Sequence, residues 1–134
     1  MFELDNAKVT WPYPVKLFDG EVTEQIDGSV RFDGMYCLIE SKDKTGAIPV
    51  EPIAKLRNQL LRRPSGTVGL VFTRTHFTPP TVLLSHFALP QAILLWTGKE
   101  VEHALQEEVI CDFAKEKFRA CVEHGIVDFD ITVL

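Results

Sequence analysis

Residues 24–43 read Glu24-Gln25-Ile26-Asp27-Gly28-Ser29-Val30-Arg31-Phe32-Asp33-Gly34-Met35-Tyr36-Cys37-Leu38-Ile39-Glu40-Ser41-Lys42-Asp43. Asp-Gly between two alternating runs is a strong signal for a β-hairpin with a two-residue turn, because both turn positions need a positive φ. The spacing predicts strands over 22–32 and 35–42. If Phe32 faces Met35, the ladder continued residue by residue sets Asp27 opposite Glu40 and Gln25 opposite Lys42. Opposed residues on paired strands share a face, as do residues two apart on one strand. Gln25, Asp27, Glu40 and Lys42 are therefore expected as one polar cluster, with Ile26, Val30, Phe32, Met35, Cys37 and Ile39 on a core-facing side. Gly28 could seat a bulge that shifts this register by one.

Outward from the hairpin, residues 7–18 are strand-like, and Pro12 and Pro14 suit an edge or irregular start. Asp19-Gly20 reads as a turn. After a loop from Asp43 to Ala47, a helix is expected from about Val50 to Arg63, with Pro52 in its first turn and Pro64 stopping it. Ile53, Leu56 and Leu60 form its apolar stripe. Thr67 to Thr73 and Ala92 to Trp96 are apolar runs typical of buried strands. Between them Thr78 can cap a short helix led by Pro79 and Pro80 and ended by Pro90. That order makes the two strands parallel. A helix around Lys99 to Gln106 follows. A longer one, from about Glu108 to His124, is expected to bury Cys111, Ala114, Phe118, Cys121 and Val122 and to stop at Gly125. The alternating tail, Val127, Phe129, Ile131 and Val133, predicts a last strand. The sum is one α/β domain over residues 1–134, a mixed central sheet flanked by helices.

Composition limits the function. The chain has 134 residues and is 46% hydrophobic, enough for a real core. The first residues lack the pattern of a secretory signal, and no apolar run reaches membrane-span length, so a cytoplasmic protein with no membrane partner is expected. Three cysteines (Cys37, Cys111, Cys121) without close pairs give neither a disulfide framework nor a zinc site. His76, His86, His103 and His124 show no ligand spacing. The net charge of −5 counts against nucleic-acid binding. Its distribution softens the objection. Lys42 to Arg74 holds seven basic residues and two acidic ones, a local +5, and the remainder is −10. Arg62 and Arg63 are read as a solvated helix face. Lys44, Lys55, Arg57 and Arg74 are the weak candidates for phosphate contacts.

The run Gln25-Ile26-Asp27-Gly28-Ser29 followed by Tyr36-Cys37-Leu38-Ile39-Glu40-Ser41-Lys42, with a helix and then Gly69-Leu70-Val71-Phe72-Thr73, resembles the PD-(D/E)xK nuclease superfamily, closest to its Mrr-like restriction endonuclease branch. The resemblance covers about residues 22–106. It implies a restriction endonuclease-like three-layer fold and a metal-dependent endonuclease, a hydrolase acting on nucleic acid, with DNA the first expectation. Asp27 and Glu40 would be ligands of Mg²⁺ or Mn²⁺, joined by the Ser41 backbone carbonyl. Lys42 would activate water and stabilise charge on the phosphate. Gln25 and Gln59 are accessory candidates, and Gln59 also reads as an ordinary surface residue. Ile26 replaces the proline of the signature. Nothing before Glu24 reads as the long helix with which related domains usually begin, often carrying an extra acidic residue for the site, which leaves open a minimal site, one completed by a partner chain in a homodimer, or an inactive one. Two other classes compete: a module of the same fold that binds nucleic acid or protein without cutting, and an assembly protein that pairs through a strand at 126–134.

Overall fold

The hairpin forms with the expected register. Its turn residues Asp33 (φ 47°) and Gly34 (φ 82°) both have positive φ, as a type I′ turn requires. Strands β4 (Gly28–Phe32) and β5 (Met35–Lys42) pair antiparallel from Phe32–Met35 to Gly28–Ile39 without a bulge. The structure is a computed structural model that describes residues 7–10, 12–18, 21–43 and 45–134. The expected turn at Asp19-Gly20, and Lys44, lie outside the described residues.

The expected strand over 22–32 is in fact two. The chain bends at Asp27, and the segment before it, β3 (Glu21–Ile26), pairs with β2 (Tyr13–Phe18) in a separate two-stranded sheet. Gln25 therefore lies opposite Pro14 and not opposite Lys42. Contacts from a distant helix hold β3 in this course: Gln59 Nε2 donates to the Gln25 carbonyl at 3.0 Å, and Arg62 and Arg63 grip Glu24 at 2.8 and 3.0 Å.

The main sheet has five strands in the order β1-β4-β5-β6-β7, where β1 is Lys8–Thr10, β6 is Val68–Thr73 and β7 is Ile93–Trp96. β1 is an antiparallel edge strand on β4, while β5, β6 and β7 run parallel. Helices α1 (Glu51–Leu61) and α2 (Pro79–Phe87) make the two crossovers. Successive right-handed crossovers stepping the same way place both helices on one face. The expected stripe of Ile53, Leu56 and Leu60 is buried there, so close to the sheet that a Cβ on Gly69 would stand 2.8 Å from Leu56 Cδ2. Thr78 caps α2 by accepting from the Thr81 amide, as expected.

Helices α3 (Gly98–Glu107) and α4 (Ile110–His124) cover the opposite face. Trp96 and Phe72 are register partners on that face, and the Lys117 ammonium of α4 lies 5.1 Å above the Trp96 ring. The result is a three-layer α/β architecture with a mixed sheet. No helix among the described residues is long and apolar enough to cross a membrane.

Two expectations for the C-terminal third are corrected. The tail is not a strand; it ends in a short 3₁₀ turn, Ile131–Val133. Side chains take the backbone groups a ladder would use. Glu100 Oε2 accepts from the Ile131 amide, Asp130 Oδ1 accepts from the Thr132 amide, and Lys117 Nζ donates to the Phe129 carbonyl. Among the described residues a single backbone bond joins the tail to the sheet, from the Leu95 amide to the Val127 carbonyl at 2.9 Å. The buried stripe of α4 also differs: Val122 is 67% exposed and Phe118 half-buried, while Lys117 is fully buried at the centre. Its ammonium meets Glu100 at 2.5 Å and the Leu95 and Phe129 carbonyls at 2.6 and 2.7 Å. Burial draws the Lys117 pKa below the ordinary lysine value, against the upward pull of Glu100. Such a lysine is retained because every proton on it finds an acceptor.

Candidate functional site

The candidate site stands where β4 begins and β5 ends. β5 is sandwiched between β4 and β6, so its even-numbered residues share the face under α1. Leu38 and Glu40 are both buried there. Glu40 is 0% exposed, an unusual place for a carboxylate without charge compensation. Two ammonium groups supply it. Lys42 Nζ lies 3.3 Å from Oε1, and Lys55 Nζ, from α1, lies 3.2 Å from Oε2. The Lys55 contact is a hydrogen bond; the Lys42 contact is a close charge pair without hydrogen-bond alignment, so Oε1 remains a buried oxygen with no hydrogen-bond donor.

Asp27 reaches the same place from the bend. Its Oδ2 accepts from the Ser41 amide at 3.3 Å. The N–H and C=O of one residue in an extended strand point to the same side. The Ser41 carbonyl therefore faces the flank on which Asp27 lies. Because β3 has left the sheet at Asp27, no strand among the described residues takes that carbonyl into a ladder, and β5 pairs with β4 only as far as Ile39. Asp27 thus bonds to Ser41, the neighbour of Glu40, and Glu40 in turn meets Lys42 and Lys55.

The other sequence candidates separate. Gln25 is exposed on β3 and does not join the cluster through Lys42. Gln59 is 5% exposed, so the surface reading is overturned; its amide fastens α1 to the β3 backbone two residues before Asp27. Arg74 is paired with Asp43 at 2.9 Å on the surface, and Arg57 is exposed on α1. Arg62 and Arg63 are not merely a solvated face, since both hold the buried Glu24. Their guanidinium groups, Arg62 first, keep the Glu24 carboxyl below the usual range.

Sequence reasoning missed Glu24 and Lys55 as parts of this architecture. The signal for Glu24 was its alternation with Ile26, which shows an inward face on β3. Lys55 is one residue from Leu56 on α1, and nothing local shows that its ammonium would reach β5.

The donor set suits a hard divalent cation, which takes oxygen ligands, several of them water. Among the described residues no three His, Cys, Asp or Glu side chains form a group that could hold a metal ion; the oxygens gathered here are those of Asp27, Glu40 and the Ser41 carbonyl. The buried Glu40 Oε1, which accepts no hydrogen bond, is the observation that fits this role. No family model, curated protein or solved structure matches the chain.

Proposed function

We propose that the protein is a metal-dependent phosphodiesterase acting on nucleic acid, DNA first among its substrates, in the manner of the PD-(D/E)xK nucleases it resembles. The observation that carries this is the fully buried Glu40 carboxylate at the end of β5, paired with Lys42, with Asp27 hydrogen-bonded to the amide of the next residue, Ser41. The order of elements around it, hairpin then parallel β-α-β, is the one the restriction endonuclease-like fold calls for.

Asp27, Glu40 and the Ser41 carbonyl would hold Mg²⁺ or Mn²⁺, which supplies Lewis acidity and a water acidic enough to attack at neutral pH. Lys42 carries a positive charge beside Glu40, where negative charge builds on the phosphoryl oxygens as water adds and the P–O ester bond breaks. Lys55 compensates the Glu40 charge with a side chain that is 44% exposed. Asp27 and Ser41 are fixed relative to each other by their hydrogen bond.

The test is cleavage of supercoiled plasmid and of single-stranded DNA with Mg²⁺, Mn²⁺ or chelator. Metal-dependent cleavage lost in both Glu40→Gln and Lys42→Ala supports the reading. Cleavage that persists in Glu40→Gln refutes it. A second reading, the same fold binding nucleic acid without cutting, draws on the complete compensation of Glu40 by two lysines. It is favoured if the parent protein binds DNA and never cuts.

A further inference from the structure

Helix α1 runs from the candidate site back along β3. Its Lys55 meets Glu40, its Gln59 meets the Gln25 carbonyl, and its Arg62 meets Glu24. Between helix and strand lies a polar groove of about 420 Å³, lined by Glu24, Gln25, Lys55, Asn58, Gln59 and Arg62. Lys55 and Asn58 on α1 and Arg62, its C-cap, are spaced i, i+3 and i+7, so they line one ridge that runs off the end of the helix. At 1.5 Å per residue that ridge is about 10 Å long, roughly the rise of three nucleotides in one strand.

The groove has donors to spare. Glu24 is held by two guanidinium groups, one of them, Arg63, largely buried with 17% of its side chain exposed. Arg62 is 51% exposed and gives Glu24 only one of its five N–H groups in a hydrogen bond. Glu40 is shared between Lys42 and Lys55. Of the residues that line the groove, Lys55 and Arg62 are cationic and Glu24 alone is anionic, on a chain of net charge −5. By contrast, Arg74 is matched by Asp43.

We propose that the groove between β3 and α1 seats the sugar–phosphate backbone of the strand flanking the phosphodiester at Asp27 and Glu40, with Arg62 and Asn58 as positioning residues and Gln25 on the opposite wall. The proposal deepens the phosphodiesterase reading and rests on it for the place of the scissile bond. Contacts of this kind set register and carry little sequence information. The strand enters along α1 from Arg62 towards Lys55, and Lys55 leaves Glu40 as the phosphate arrives.

The test is fluorescence anisotropy of a short fluorescein-labelled single-stranded DNA with the full chain in chelator, over a series of salt concentrations. Arg62→Gln, Asn58→Ala and Arg119→Gln, a control of equal charge change on α4, are compared, with melting curves to establish that each is folded. Arg62→Gln is expected to weaken binding about tenfold and to lower the salt slope by about one. Asn58→Ala, which leaves the Glu24 pairs intact, is expected to weaken binding about threefold, the scale of one neutral hydrogen bond. Arg119→Gln is expected to bind as the parent does. Parental binding by both Arg62→Gln and Asn58→Ala overturns the groove, as does an equal loss in Arg119→Gln. Plasmid cleavage on the same proteins separates the two claims. Arg62-dependent binding without cleavage keeps the groove and removes the phosphodiesterase. Glu40-dependent cleavage with both groove variants neutral does the reverse.

Discussion

Replacing Lys117 by methionine removes one charge from the centre of the molecule while keeping an unbranched chain of similar length. Lys117 is 0% exposed, and its ammonium satisfies the Glu100 carboxylate, the Leu95 carbonyl and the Phe129 carbonyl. After the change Glu100 keeps the amides of Thr97 and Ile131 but loses its counter-charge. Removing one partner of a buried ion pair costs about 3–5 kcal/mol, most of it from the charge left behind. The two abandoned carbonyls fall within the same range, because part of their loss is relieved when the tail loosens. For a chain of this length that corresponds to a fall of about 10–20 °C in Tm. Urea unfolding followed by circular dichroism measures it directly. The double variant Lys117→Met with Glu100→Gln should regain part of the loss, since no charge is then stranded. A single-variant loss under about 1 kcal/mol would refute the idea that this lysine ties α4, β7 and the tail together.

The Glu24 carboxyl is held below its ordinary pKa of 4.5 by Arg62 and Arg63, so its stabilising share is complete above pH 4.5 and is lost as pH falls through the depressed folded value. Glu24→Gln should therefore be less stable than the parent at neutral pH, with the difference shrinking in acid; urea midpoints across a pH series check this, and a constant difference would count against it. A Cβ at Gly98 would stand 1.9 Å from the Arg74 carbonyl oxygen, a backbone atom that cannot step aside, so Gly98→Ala should cost several kcal/mol by the overpacking scale, about 3 or more. Thermal melting of that variant reads the cost, and an unchanged Tm would mean α3 can redock. Burial pushes the Cys37 thiol up to about 12, which predicts no reaction with Ellman's reagent in the folded protein and full reaction in urea.

Much of the site was legible because it is local. Asp33-Gly34 selects a turn whose geometry sets the register of the flanking residues, and the ladder from Phe32–Met35 to Gly28–Ile39 follows from it. The apolar stripe of α1, the cap at Thr78, the stop at Gly125 and the parallel pair β6–β7 were equally readable, since each depends on short-range periodicity or on one residue's backbone preference. That reading also brought Asp27, Glu40 and Lys42 to one end of one hairpin.

What it could not supply were the decisions made by partners far away in the chain. The strand over 22–32 breaks at Asp27 because Gln59, Arg62 and Arg63 hold β3 from more than thirty positions away, and no local pattern records that pull. Gln25 left the cluster and Lys55 entered it for the same reason. The tail alternates like a strand, yet Glu100 and Lys117 occupy its backbone groups, so its buried residues, Val127 and Ile131, are four apart rather than two. A lysine in the middle of a helix stripe reads as polar surface until the acceptors gathered around it are seen. The sequence by itself determined the hairpin, the order of elements from β4 to α4 and the identity of the acidic and basic groups at the strand ends, because turn chemistry and periodicity act over a few residues. Only the tertiary structure decided which charges are buried, which cations face Glu40 and where β3 leaves the sheet, because desolvation and ion pairing depend on neighbours that the folded chain alone brings within reach.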